Sequence, residues 1–237
     1  MSVSALPAQN YEKVLDGLEN ACRKAGRKRE EITLVAVSKF HSANDIESVA
    51  AKGQLDFGEN YLQEADEKKR ILSAYKDLRW HMIGHVQSRK ASGVAGNFLL
   101  VHTLDSIKLA NAMEKALLEK ELVQEVLIEV NIGEEAQKAG VNIKDLHNLA
   151  EHVEKFCPHL KIKGLMCLPP VFDAGEAARP YFAKLFQLRE GLSRSLGRSL
   201  PDLSMGMSGD YEAAIAEGAT IVRIGTDIFG PRPLKAK

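Results

Sequence analysis

Cysteine is scarce in this 237-residue chain: Cys22, Cys157 and Cys167 are odd in number, widely spaced and include no C-x-x-C pair. That excludes a disulfide framework and a zinc knuckle, and it suits a reducing compartment. Net charge is missing as well. The 32 basic and 32 acidic side chains balance, so no broad field draws in nucleic acid or an anionic membrane, and the expected partner is a small molecule. No apolar run approaches the roughly 20 residues of a membrane span. The opening residues, MSVSALPAQN, lack the basic region and apolar stretch of a secretory signal, so the expected location is the cytoplasm. Repeats, low-complexity tracts and Pro/Gly-rich linkers are also absent, so one domain spanning 1–237 is expected, with a short helix before the first strand and a short tail after Gly230.

What the chain does have is a strict alternation of short β-rich runs and longer amphipathic ones. Strands are predicted at Thr33–Val37, Asp56–Gly58, Trp80–Ile83, Leu99–Thr103, Val126–Val130, Ile162–Met166, Leu203–Met205 and Ile221–Ile224. A first helix is predicted near Tyr11–Ala25 and another at Ala43–Lys52. Helical stripes recur at Ile107, Ala110, Met113 and Leu117, at Leu146, Leu149, Val153 and Phe156, and at Phe182, Leu185, Leu188, Leu192 and Leu196. Alternation of this kind requires parallel strands joined by helical crossovers. An open doubly wound sheet should carry a glycine-rich turn after its first strand, but the chain there reads SKFHSAND. The predicted class is therefore α/β, a single (β/α)8 TIM-type barrel, whose phosphate sites typically follow the last two strands.

The last two strand ends are where small residues concentrate. Gly206, Ser208 and Gly209 follow the seventh strand, and Gly225 and Thr226 follow the eighth, a pattern that suits a phosphate cradle. Lys39 lies two residues past the first strand, which in a barrel closes against the eighth. It can act as a point charge on an anion or as a Schiff-base amine, while the plainer alternative is a solvated strand-end lysine. Arg223 interrupts the apolar run TIVRIG, so it either faces the barrel mouth or joins a structural ion pair. Of Asp56, Glu59 and Asn60, which could simply cap the following helix, Asn60 is the better mouth candidate because its amide both donates and accepts.

Other chemistry is weakly signalled. GMSGD falls short of a nucleophile elbow because Asp210 stands at the second glycine, so Ser208 reads as a phosphate donor or as the N-cap of the helix near Tyr211–Glu217. His81 and His85 are four apart but follow a β-like run with Gly84 between them, and His41 and His102 look isolated, so no metal site is expected. The charged runs ADEKKR and EKALLEKE read as solvated helix faces.

Six segments in order, VAVSK, FGENYLQE, WHMIGHVQSRK, GLM, MGMSGDYEAAIAEG and VRIGTDIFGPR, resemble the pyridoxal phosphate homeostasis protein family from about Tyr11 to Arg232. The resemblance implies a barrel like the N-terminal domain of alanine racemase and, as cofactor, pyridoxal 5'-phosphate held as an internal aldimine on Lys39. It also implies Arg223 near the pyridine nitrogen, Ser208, Gly209, Gly225 and Thr226 on the phosphate, and Asn60 beside the ring. Such a protein is expected to buffer or carry the cofactor in vitamin B6 and amino-acid homeostasis. No catalytic residue is assigned, and the expected protein is a monomer that transiently contacts apoenzymes dependent on the same cofactor. Two alternatives stay open. A racemase or related enzyme would need a second base, for which Tyr61, Tyr181 and Tyr211 are available but not evidently aimed; a barrel binding a sugar phosphate would need no aldimine. Where many relatives read T-K-P after the lysine, this chain has Phe40, His41 and Ser42, and it lacks the second lysine. Val86 and Arg89 also depart from the third motif.

Overall fold

The computed structural model describes residues 5–170 and 173–231, so all of the tail after Gly230 except Pro231 lies outside the described residues, as does Arg232 of the last motif. Eight strands pair in sequence order, all parallel, and the eighth returns to the first to close a barrel. They are β1 (Thr33–Val37), β2 (Asp56–Glu59), β3 (Arg79–Met82), β4 (Leu100–Leu104), β5 (Gln124–Val130), β6 (Leu160–Cys167), β7 (Asp202–Ser204) and β8 (Ile221–Ile224). Each predicted strand is present, β1 and β8 with the predicted bounds and the others with ends moved by at most two residues.

Helices supply the crossovers: α1 (Ala5–Lys24) precedes the barrel, and α2 (Ala43–Ala50), α3 (Leu62–Ile71), α4 (Ala91–Val94), α5 (Ile107–Lys120), α6 (Leu146–Phe156), α7 (Arg179–Ser195), α8 (Tyr211–Ala216) and α9 (Thr226–Phe229) follow in turn. Burial tracks the apolar spacing. In α5, Leu109, Ala110, Met113 and Leu117 are buried, as are Leu146, Leu149 and Val153 in α6 and Phe182, Leu185 and Leu192 in α7. Phe156, expected in the α6 stripe, is instead 56% exposed at the last residue of its helix, where its ring packs on His152 with centres 5.0 Å apart.

Strand alternation divides the interior in two. Leu34 and Ala36 of β1 join the large core between sheet and helices, whereas Val35 packs with Leu100, Leu127, Met166 and Ile221 in a separate cluster inside the barrel. Small residues let neighbouring strands close up. A Cβ on Gly164 of β6 would sit 1.8 Å from the Asp202 carbonyl oxygen of β7, a backbone atom that cannot rotate away. Gly164→Ala should therefore lose about 3 kcal/mol or more in chemical denaturation. Gly191→Ala in α7, where an added Cβ meets nothing within 4 Å, should be neutral or gain up to about 1 kcal/mol.

Candidate functional site

Barrel closure sets the site. The β1–β8 register places Val35 beside Arg223 and Ala36 beside Ile224, so the chain leaves both strands side by side at the same end. β7 joins there through Ser204 and Ile221. Lys39, Asn60, Ser208, Gly209, Arg223, Gly225 and Thr226 consequently line one cavity of about 270 Å3, with Val37, Ile83, Leu168 and Met207 as its apolar wall. This is close to the roughly 300 Å3 at which small-molecule pockets begin.

The loop after β7 is shaped by two local constraints. Gly206 has φ +93°, and an added Cβ would meet the Ala214 methyl at 2.6 Å, so both backbone and space demand glycine. Asp210 Oδ1 accepts the Met207 N–H at 2.6 Å, and the Asp210 and Tyr211 N–H groups donate to the Met207 carbonyl oxygen at 3.1 and 2.9 Å. This tight turn leaves the N–H groups of Ser208 and Gly209 without a protein acceptor among the described residues. Asp210, not Ser208, occupies the N-cap of α8, so the capping alternative for Ser208 is corrected: its side chain sits at the cavity. On the opposite side Gly225 lies against β1, where a Cβ would come within 3.2 Å of the Val37 carbonyl oxygen, and Thr226 begins α9.

Lys39 is half-buried on a main chain clamped on both sides. Buried Lys68 of α3 donates to the Ser38 carbonyl oxygen, Glu59 Oε1 and Glu64 Oε1, each at 2.7 Å. The Ser38 hydroxyl donates to the same Glu59 oxygen, and the Phe40 N–H donates to Glu64. Phe40 is held at φ +69°, a left-handed conformation that is uncommon for a bulky residue and turns the chain sharply after the lysine. The residues that replace T-K-P have local partners. Phe40 packs on Tyr61 with ring centres 5.5 Å apart, His41 stacks on Phe229 at 5.2 Å, and Ser42 caps α2 by accepting the Asp45 N–H.

Arg223 is buried, and donates to the Ser204 hydroxyl at 2.6 Å and to the Cys167 carbonyl oxygen at 3.0 Å. Those two bonds use two of its five N–H donors. Burial, and secondarily the charge of Asp105, pushes Glu129 from 4.5 up to about 7 against the opposing pull of Arg223. Glu129 Oε2 is buried without a hydrogen-bond partner among the described residues. His81 and His102, read as separate residues in the sequence, meet at 2.9 Å inside the barrel. Among the described residues no group of three or more His, Cys, Asp or Glu side chains is placed to hold a metal ion. No helix among the described residues is long and apolar enough to cross a membrane.

Residues 14–233 match the family model described as alanine racemase, N-terminal domain. The pyridoxal phosphate homeostasis protein of Aquifex aeolicus is 42% identical over 224 residues, covering 94% of this chain and 97% of that protein. The chain belongs to the pyridoxal phosphate homeostasis protein family. A second family member, from Pseudomonas aeruginosa, is 42% identical and covers 95% of each chain. The structure of PipY from Synechococcus elongatus with PLP bound superimposes with a TM-score of 0.80 at 31% identity, covering 90% of this chain and 99% of that one.

Several residues that shape this family member's site escaped the sequence reading. Lys68 lies in ADEKKR, read as a solvated face, and its spacing from Glu64 imitates an exposed helix ion pair; in fact its side chain is only 6% exposed. The available clue was Glu59, an acid in a strand that turns out buried throughout and therefore needed a cation. Replacing Lys68 by Met strands that carboxylate and should destabilise the protein by about 3–5 kcal/mol in urea denaturation, with part of the loss recovered in the Glu59→Gln/Lys68→Met pair. Glu129 generates a pH prediction. Its folded value lies above the unfolded one, so its contribution to stability is complete below pH 4.5 and is lost as pH rises to about 7. Glu129→Gln should flatten the fall in melting temperature across that window.

Proposed function

We propose that this protein binds pyridoxal 5'-phosphate in the cavity between β1, β7 and β8 and carries or buffers it without turning over a substrate. The observation that carries the reading is one cavity lined together by a half-buried lysine, a buried arginine and two loops of small residues. When bound, this cofactor supplies an aldehyde with which a primary amine forms a Schiff base. The donor set fits it. Lys39 is the amine at the cavity, while Ser208, Gly209, Gly225 and Thr226 would hold the phosphate through N–H groups and hydroxyls. Asn60 Oδ1 is buried and has no donor among the described residues, so it suits a ligand hydroxyl beside the ring. Arg223 can only donate, so a ring nitrogen facing it must accept and stays unprotonated, which weakens the ring as an electron sink.

The names of the relatives and the PLP-bound PipY support the same assignment. The non-catalytic part of the proposal is supported by the positions of the tyrosines a racemase could use. Tyr61, Tyr181 and Tyr211 do not line the cavity, and the Tyr181 hydroxyl donates to Asp173 at 2.8 Å. Three free, buried cysteines suit a cytoplasmic setting, in which the protein is proposed to act as a monomer that meets recipient apoenzymes transiently.

Purified protein supplied with the cofactor should develop a visible absorbance band, and borohydride should fix the cofactor to Lys39 in peptide mapping. Lys39→Ala should show neither; an equally coloured variant overturns the lysine assignment. α-Proton exchange of L-alanine in deuterated water should stay at the free-cofactor background, and exchange clearly above it would favour the racemase reading.

A further inference from the structure

Behind Arg223, five side chains form a continuous row of hydrogen bonds across the barrel interior. The Arg223 guanidinium meets Ser204 Oγ at 2.6 Å, and Ser204 Oγ meets His102 Nδ1 at 2.8 Å. His102 Nε2 meets His81 Nδ1 at 2.9 Å, and His81 Nε2 meets Asp56 Oδ1 at 3.0 Å. Arg79, half exposed at the far end of the barrel, donates to the other Asp56 oxygen. The row thus runs from the cavity on β8 through β7, across to β4, and on through β3 to β2. Ser204, His102, His81, Asp56 and Arg223 are all buried.

With one proton on each imidazole, the two ends dictate the direction of every bond between them. Arginine has no acceptor, so Ser204 Oγ must accept from Arg223. Burial pushes the Asp56 carboxyl up, but hydrogen bonds from His81 and Arg79 outweigh it and hold the group below its usual value, as a carboxylate that only accepts. His81 must therefore donate from Nε2, and a ring that carries only that proton accepts at Nδ1. His102 must then donate from Nε2 and accept at Nδ1, and the Ser204 hydroxyl is the proton donor that remains. Burial holds His102 well below the ordinary imidazole value, consistent with a neutral ring. Each internal donor meets one acceptor, and both ends keep their charges near neutral pH, so the row transfers no net proton.

We propose that Asp56, His81, His102 and Ser204 are positioning residues that form this one-way row and lock the Arg223 guanidinium in place at the cavity. The hydroxyl of Ser204 is committed to His102, so its lone pair always faces Arg223, and the guanidinium keeps its remaining donors in one orientation. What this does for a ligand ring nitrogen rests on the pyridoxal phosphate reading; the row itself does not.

The test uses the full chain labelled with 15N at histidine and arginine. Without cofactor, His81 and His102 should both carry their proton on Nε2 with Nδ1 bare, and the Arg223 Nη signals should be split by slow rotation. Ser204→Ala should release His102 from a single tautomer and collapse the Arg223 splitting, and Ser204→Thr, which keeps the hydroxyl, should restore both. With pyridoxal phosphate added, Ser204→Ala should bind about tenfold more weakly, with a shifted absorbance band, while borohydride still fixes the cofactor to Lys39. Finding the His102 proton on Nδ1 in the unsubstituted protein overturns the row, a result that needs no variant to fold. Unchanged Arg223 signals in Ser204→Ala overturn the positioning role. Fixed tautomers and a split Arg223 signal in a protein that takes up no pyridoxal phosphate support the row and sink the cofactor reading instead.

Discussion

The pairing of β8 with β1 is the contact on which the rest of the site depends. Parallel pairing points the C-terminal ends of all the strands the same way, but an open sheet would leave the first and last strands at opposite edges. Closure instead sets Val35 against Arg223, so that Lys39, two residues past β1, shares a cavity with Gly225 and Thr226 at the end of β8. The glycines matter because of this closeness: Gly225 lies where a side chain would press on Val37, and Gly206 bends the β7 loop back toward the same cavity.

Two charged networks, one on each side of the barrel wall, then hold the cavity rigid. Outside, between β2 and α3, Lys68 links Glu59, Glu64 and the Ser38 carbonyl and so fixes the chain before and after Lys39. Inside, the row from Asp56 to Ser204 ends on the Arg223 guanidinium. A lone buried charge from either set would cost several kcal/mol, and each is tolerated because its partners satisfy it. Networks of this kind contribute order more than stability, and order is what a site needs if it is to hold a ligand in one pose.

Much of this was legible in order along the chain. The eight β-rich runs, the helical stripes and the small residues after the last two strands identify a barrel and its phosphate-like end, since periodicity and glycine are local signals. Lys39 and Arg223 could be singled out because a charge beside or within an apolar run is itself conspicuous. Lys68 was hidden for the opposite reason: in ADEKKR one lysine looks like the next, and only the packing of α3 on β2 turns Lys68 inward while Lys69 lies over the Phe98 ring. His81 and His102 looked separate because they lie 21 positions apart, although adjacent strands bring their rings together.

The sequence alone determined the class of fold and the family and singled out seven of the residues that line the cavity, because repeated apolar spacing and motif order do not depend on long-range contacts. It did not single out the apolar wall of Val37, Ile83, Leu168 and Met207. Tertiary structure decided which charges are buried and with whom. It made Asp210 the helix cap and left Ser208 at the cavity, placed Lys68 beneath Lys39, and joined Asp56 to Arg223 through two histidines and a serine. Those choices depend on strand neighbours and on the side of the barrel each residue faces. No short stretch of sequence contains either, because both arise only when the barrel closes.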